Sequence, residues 1–83
     1  MSQKRIYEKL RELLSNILEI DEGEITSDSD LKEDLDLDIE YDEDIFEEIL
    51  LEFFDIDTEL SAEYFESAVT VSDMVDLIED QMN

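Results

Sequence analysis

The chain has no cysteine, no histidine and no proline, a single glycine, and only five basic residues among 83. Without cysteine there are no disulfides, no thiolate zinc ligands and no nucleophilic thiol, and redox compartment cannot be read from cysteine use. Without histidine the usual proton shuttle at neutral pH is missing. A nucleophilic triad then has no base, because no lysine stands near a serine in an apolar setting, and no enzyme is expected. No apolar run approaches the ~20 residues of a membrane span, and the N-terminus lacks the apolar core of a signal peptide. A soluble, cytoplasmic protein is the expectation. Affinity for phosphate backbones and anionic lipid comes from lysine and arginine, so neither nucleic acid nor membrane is an expected partner.

What the chain does have is acid. Twenty-eight Asp and Glu against five bases give a formal charge of −23. The chain is 42% hydrophobic, too apolar to be disordered by charge alone. Its length suits one small domain, residues 1–83, expected to be monomeric. The charge is unevenly placed. Residues 1–20 carry Lys4, Arg5, Lys9 and Arg11 against Glu8, Glu12 and Glu19, whereas after residue 20 Lys32 is the sole base. Between Glu33 and Glu48, ten of sixteen positions are Asp or Glu. Such density repels itself in the folded state, so stability should rise with salt or divalent cations. It is either a solvated surface or a docking face for a basic protein partner.

Hydrophobic spacing supplies the elements. Ile6, Leu10, Leu13, Leu14, Ile17 and Leu18 recur at threes and fours, predicting a first helix with Ser2 as N-cap and an end near Ile20. Gly23 follows where a left-handed C-terminal turn would want it. Residues 24–38 have no helical period. Thr26, Ser27, Asp28, Ser29 and Asp30 read as a loop, tied down by the apolar anchors Ile25, Leu31, Leu35 and Leu37. A second helix starts near Glu40 or Asp42 and runs to about Phe54, with Asp42, Glu43 and Asp44 complementing its dipole. Ser61 can cap a short third helix, Ala62 to about Ser67. Thr70 caps a fourth, with Asp73 as an approximate capping box and Val71, Met74, Val75, Ile78 and Met82 as its apolar face. Strand signals are weak. The fold class is therefore all-α, with Tyr41, Phe46, Phe53, Phe54, Tyr64 and Phe65 expected to form most of the heavy core.

Little chemistry survives inspection. Carboxylate pairs are everywhere and so discriminate nothing, and a glycosidase cleft needs a larger chain. Asp34, Asp36 and Asp38 copy the opening alternation of an EF-hand loop, but its glycine position holds Ile39 and its last position Ile45. Starting at Asp36 places Glu47 last but Tyr41 where glycine is needed. No specific metal site is expected, only weak divalent binding.

One stretch resembles the acyl carrier protein family. Residues Ile25-Thr26-Ser27-Asp28-Ser29-Asp30-Leu31-Lys32-Glu33-Asp34-Leu35, then Asp36-Leu37-Asp38, look like the carrier loop that leads through Glu-Asp-Leu into a Gly-x-Asp-Ser-Leu attachment motif. Glu52-Phe53-Phe54-Asp55-Ile56 looks like the end of that family's second helix, and Val69-Thr70-Val71 resembles the opening of its last. The resemblance implies a four-helix bundle of three longer helices and one short one. It also implies a serine at the start of helix two esterified with 4′-phosphopantetheine, whose thiol carries acyl or aminoacyl groups. The family's acidic helix-two residues dock on basic patches of partner enzymes.

The pattern departs at the attachment point. Counting from Glu33-Asp34-Leu35, the glycine slot holds Asp36, the aspartate slot Asp38 and the serine slot Ile39; counting back from Phe54 makes the serine slot Glu40. Neither has a hydroxyl. Asp28-Ser29-Asp30-Leu31 contains Asp-Ser before a leucine, but Ser29 precedes Glu33-Asp34-Leu35, whereas the attachment serine follows that element. The resemblance is closer still to small bacterial carrier-like proteins that lack the serine, with a similar acidic helix-two start and a Tyr-Phe pair like Tyr64-Phe65.

Three functions follow as expectations. The preferred one is a carrier-like interaction module without a cofactor, docking a basic partner from lipid, polyketide or peptide assembly through Asp38, Glu40, Asp42, Glu43, Glu47 and Glu48. The second is a working acyl or aminoacyl carrier with phosphopantetheine on an unrecognised serine. The third is an acidic nucleic-acid mimic that occupies the basic groove of a DNA-binding protein.

Overall fold

The computed structural model describes residues 2–54 and 60–82. These form three α-helices, α1 (Gln3–Leu18), α2 (Glu43–Phe53) and α3 (Val71–Met82), with 3-10 turns at Glu22–Glu24 and Ala62–Phe65. The class is all-α. The expected short third helix is a single 3-10 turn, because Ala62 to Phe65 offers only Ala62 and Phe65 to the core and the chain must then turn into Thr70. No described helix is long and apolar enough to cross a membrane. Asp55 and Ile56, which the family resemblance places at the end of helix two, lie outside the described residues.

Side-chain caps mark the starts of α1 and α3. The Ser2 hydroxyl accepts from Arg5 N–H at 3.3 Å, satisfying one of α1's unpaired donors. At its other end Glu19, not Gly23, takes the left-handed conformation (φ 57°), and the N–H groups of Glu19 and Ile20 both reach Ser15 O. Gly23 sits inside the first 3-10 turn without a positive φ, so the expected glycine C-cap is corrected by four residues. The Ser15–Leu18 turn is the last that the buried stripe of Ile6, Leu10 and Leu14 can hold against the core. At α3 the capping box is complete. Thr70 N–H donates to Asp73 Oδ2 at 3.0 Å, and Asp73 N–H donates to Thr70 Oγ1 at 3.2 Å.

The core is aliphatic. Ile6, Leu10 and Leu14 of α1 meet Val71, Met74, Val75 and Ile78 of α3, and Phe46, Ile49 and Leu50 of α2 close over them with Ala62 and Phe65. Of the six aromatics expected inside, only Phe46 and Phe65 are buried, with ring centroids 5.8 Å apart. Phe53, Phe54 and Tyr64 are half-buried, and Tyr41 is 83% exposed. Tyr41 precedes the first turn of α2, so helical spacing does not govern where it points.

The long loop is pinned. Ile25, Leu31, Leu35 and Leu37 are all buried, as their spacing suggested. The backbone adds an isolated antiparallel bridge between Asp30 and Thr70, through Leu31 N–H to Val69 O at 2.8 Å and Val71 N–H to Ser29 O at 3.0 Å. Asp30 and Asp34 then fold the next turn. Asp30 Oδ1 accepts from the N–H of Lys32 and of Glu33, and Asp34 Oδ2 accepts from Asp30 N–H. The loop thus delivers residues 36–42 to a fixed place at the head of α2.

Candidate functional site

The six acids expected to form a docking face divide into two groups. Asp38 and Asp42 build the approach to α2. Asp38 N–H donates to Asp42 Oδ2 at 2.9 Å, Asp38 Oδ1 accepts from Glu40 N–H at 2.9 Å, and Asp38 Oδ2 lies 3.4 Å from Lys32 Nζ. Asp42 is the N-cap residue of α2, yet its carboxylate turns back to Asp38 rather than onto the helix. Both side chains are half-buried and engaged. Glu40, Glu43, Glu47 and Glu48 are exposed, and no carboxylate of theirs meets a hydrogen-bond or ion-pair partner among the described residues. They stand alone in water.

Sequence reasoning missed three members. Asp44 is exposed beside Glu47 and Glu48 at helical spacing of three and four, a position its dipole role concealed. Glu63 in the second 3-10 turn and Glu66, its C-cap, share a hollow with Glu40 and Glu43. No local pattern could place them there, because the contact is tertiary. Leu51 and Tyr41 are the exposed apolar residues of this side, Leu51 one turn beyond Glu47 and Glu48.

The residues that the resemblance aligns with the attachment motif are also described. Asp36 has φ 56°, in the left-handed region that glycine enters without steric cost. The resemblance aligns this residue with the carrier motif's glycine. Ile39, three residues on, is half-buried and lines two hollows, while Glu40 points to solvent. Ser29 is only 6% exposed, and its Oγ accepts from Thr26 N–H at 2.9 Å. Its hydroxyl belongs to the loop.

The first hollow, about 310 Å³, lies between the loop, the head of α2 and residues 65–69, with Leu37, Ile39, Phe46, Phe65, Ala68 and Val69 as its apolar wall. The second, about 290 Å³, is walled by Ile39, Ala62 and the carboxylates of Glu40, Glu43, Glu63 and Glu66. Asp34 and Asp38, two of the EF-hand-like aspartates, spend their oxygens on local turns. Among the described residues no group of three or more acids is placed to hold a metal ion.

Among the described residues, the Asp73 and Tyr64 side chains titrate away from their ordinary values, and both serve the fold. The N–H groups of Val69 and Thr70 hold the Asp73 carboxyl below the usual aspartate range. Burial first, then the Asp80 carboxylate, pushes the Tyr64 hydroxyl up, where it donates to Leu77 O and ties the second 3-10 turn to α3.

The chain matches no protein-family model and no curated protein.

Proposed function

We propose that this chain is an acyl-carrier-protein-like interaction module that lacks the phosphopantetheine arm and docks a basic protein partner through the outer face of α2. The observation that carries the reading is charge segregation. Glu40, Glu43, Asp44, Glu47 and Glu48 are exposed and unneutralised, while four of the five bases stand on α1 and the fifth, Lys32, is paired with Asp38. Such a face raises the rate of encounter with a cationic surface and sets its register. Each rim charge contributes only ~0–1 kcal/mol, so the face acts as a group.

The carrier-like part of the proposal is supported by the order of elements and by Asp36, whose left-handed backbone fits the motif's glycine slot. Ile39 and Glu40 offer no hydroxyl where the arm would attach, and the buried Ser29 offers none to a transferase. Incubation with a phosphopantetheinyl transferase and coenzyme A is expected to leave the intact mass unchanged; a gain equal to the arm would defeat the armless reading. Reversing Glu47 and Glu48 together to lysine is expected to weaken a captured partner about tenfold or more at low salt, measured by calorimetry. Unchanged affinity would remove the docking face.

A further inference from the structure

We propose that the paired hollows on either side of Ile39 form an anchor groove, which takes one aliphatic side chain of the basic partner while an adjoining lysine or arginine lies among Glu40, Glu43, Glu63 and Glu66. The proposal rests on the docking reading and specifies its contact. The first hollow presents an apolar wall that includes Phe46, Phe65 and Val69, and Val69 at its rim is 56% exposed, an apolar residue without cover. The second is lined by four carboxylates and no base. The two share Ile39 and Glu66, so they are adjacent. An extended peptide sets alternate side chains ~7 Å apart on one face. A leucine seated in the first hollow therefore carries its i+2 neighbour to the second.

Size and charge select this occupant over others. About 310 Å³ is at the floor of what encloses a free drug-sized ligand (~300 Å³), but ample for a side chain. A fatty-acid carboxylate or a phosphate would meet Asp30, Glu33, Asp38 and Glu66 at the mouth against Lys32 alone, and Lys32 is already paired with Asp38. A second copy of the chain would bring −23 against −23. A cationic segment with one aliphatic residue satisfies both hollows at once.

The test is an amide-shift titration of the ¹⁵N-labelled protein with acetyl-Arg-Ser-Leu-Ser-Arg-amide and its counterpart with serine in place of leucine. Both peptides carry the same charge. The leucine peptide is expected to bind about fivefold to tenfold tighter, from burial of one aliphatic side chain, with the largest shifts at Ile39, Ala68 and Val69. Ala68→Leu, which fills the hollow, and Val69→Ser, which changes only its exposed rim, should bring that ratio near one and leave the serine peptide unaffected. Unchanged thermal unfolding of Val69→Ser keeps the result interpretable if Ala68→Leu misfolds. Equal affinity of the two peptides for the unaltered protein would overturn the anchor while the acidic face stands. No shift with either peptide would overturn both. Neutral octanamide binding as tightly as the leucine peptide would overturn the assignment in favour of a free acyl-type ligand.

Discussion

Helices α1 and α2 bury similar apolar stripes, yet they treat their polar faces in opposite ways. On α1 the charges are mixed, and two of its bases, Lys9 and Arg11, are engaged. Lys9 Nζ donates to Glu52 O at 2.8 Å and stands 4.9 Å from the Phe53 ring centroid; Arg11 Nε lies 3.8 Å from Glu22 and its guanidinium 5.4 Å from the Tyr7 ring. On α2 five of eleven residues are not apolar, all of them acids. The pairs Glu43/Glu47, Asp44/Glu48 and Glu48/Glu52 fall four apart, where like charges cost ~0.2–0.5 kcal/mol each. The dipole accounts for Glu43 and Asp44 in the first turn, but not for Glu47, Glu48 and Glu52 farther along. Encounter with a cationic surface is the role proposed for the exposed pair Glu47 and Glu48. One helix spends charges on contacts within the domain; the other leaves its acids to solvent, where the proposed docking would use them.

Two substitutions test this division at its extremes. Leu10, fully buried on α1, is expected to cost ~2–5 kcal/mol when changed to alanine, read from urea unfolding, because the core around α3 cannot collapse into the space. The double change Glu47→Lys and Glu48→Lys should move stability by less than ~1 kcal/mol, and upward, since it removes like-charge contacts from an exposed face. A large loss from the α2 pair would break the comparison by giving those acids a folding role.

How much of this was legible in the sequence depends on how local the cause is. The stripe of α1, the Ser2 cap and the Thr70/Asp73 box are set by residues three or four apart, and each could be read directly. The buried anchors Ile25, Leu31, Leu35 and Leu37 were legible too, because a long polar loop in a small domain needs such residues to stay in place. What pins that loop was not: the Asp30–Thr70 bridge joins residues forty positions apart and leaves no periodic trace. The same limit hid that Glu63 and Glu66 share a hollow with Glu40 and Glu43. Tyr41 misled for another reason, since its aromatic character suggested core while its place in a turn sent it to solvent. Asp38 and Asp42 looked like two more free acids; their oxygens are the turn.

Asp73 supplies a smaller effect and a pH dependence. It lies outside α2, yet it too is an acid, and one that folding uses. Asp73→Ala is expected to cost ~1 kcal/mol, since it removes the acceptor for Val69 and Thr70 N–H at the head of α3. The folded-state carboxyl titrates below its unfolded value of about 3.9, so its contribution is complete above that pH and disappears as pH falls through the folded value. The stability gap between the wild type and Asp73→Asn should therefore be flat near neutrality and close in strong acid. Charge reversal on α2 should instead give a gap that narrows with added salt. A salt-sensitive, pH-insensitive gap at Asp73 would erase the distinction between acids that fold and acids that face outward.

The finest comparison concerns two residues with nearly the same backbone. Glu19 ends α1 at φ 57°, and Asp36 precedes α2 at φ 56°, each in the left-handed region that costs a side-chain-bearing residue ~1–2 kcal/mol. Glycine removes that cost but loosens the unfolded chain, so the net gain is smaller. Glu19→Gly is expected to gain ~0.5–1 kcal/mol, because glutamate has no local hydrogen bond that suits the conformation, and because a negative charge at a helix C-terminus opposes the dipole. Asp36→Gly should gain only a few tenths of a kcal/mol, since aspartate tolerates this region far better than most residues. Asp36 also stands among acids, so part of any gain would come from lost repulsion. Asp36→Asn separates the two: it removes the charge and keeps the tolerance, and the remaining step from asparagine to glycine reads the backbone alone. If that last step destabilises the protein, the left-handed turn is not what position 36 requires, and its match to the carrier motif's glycine slot loses its physical basis.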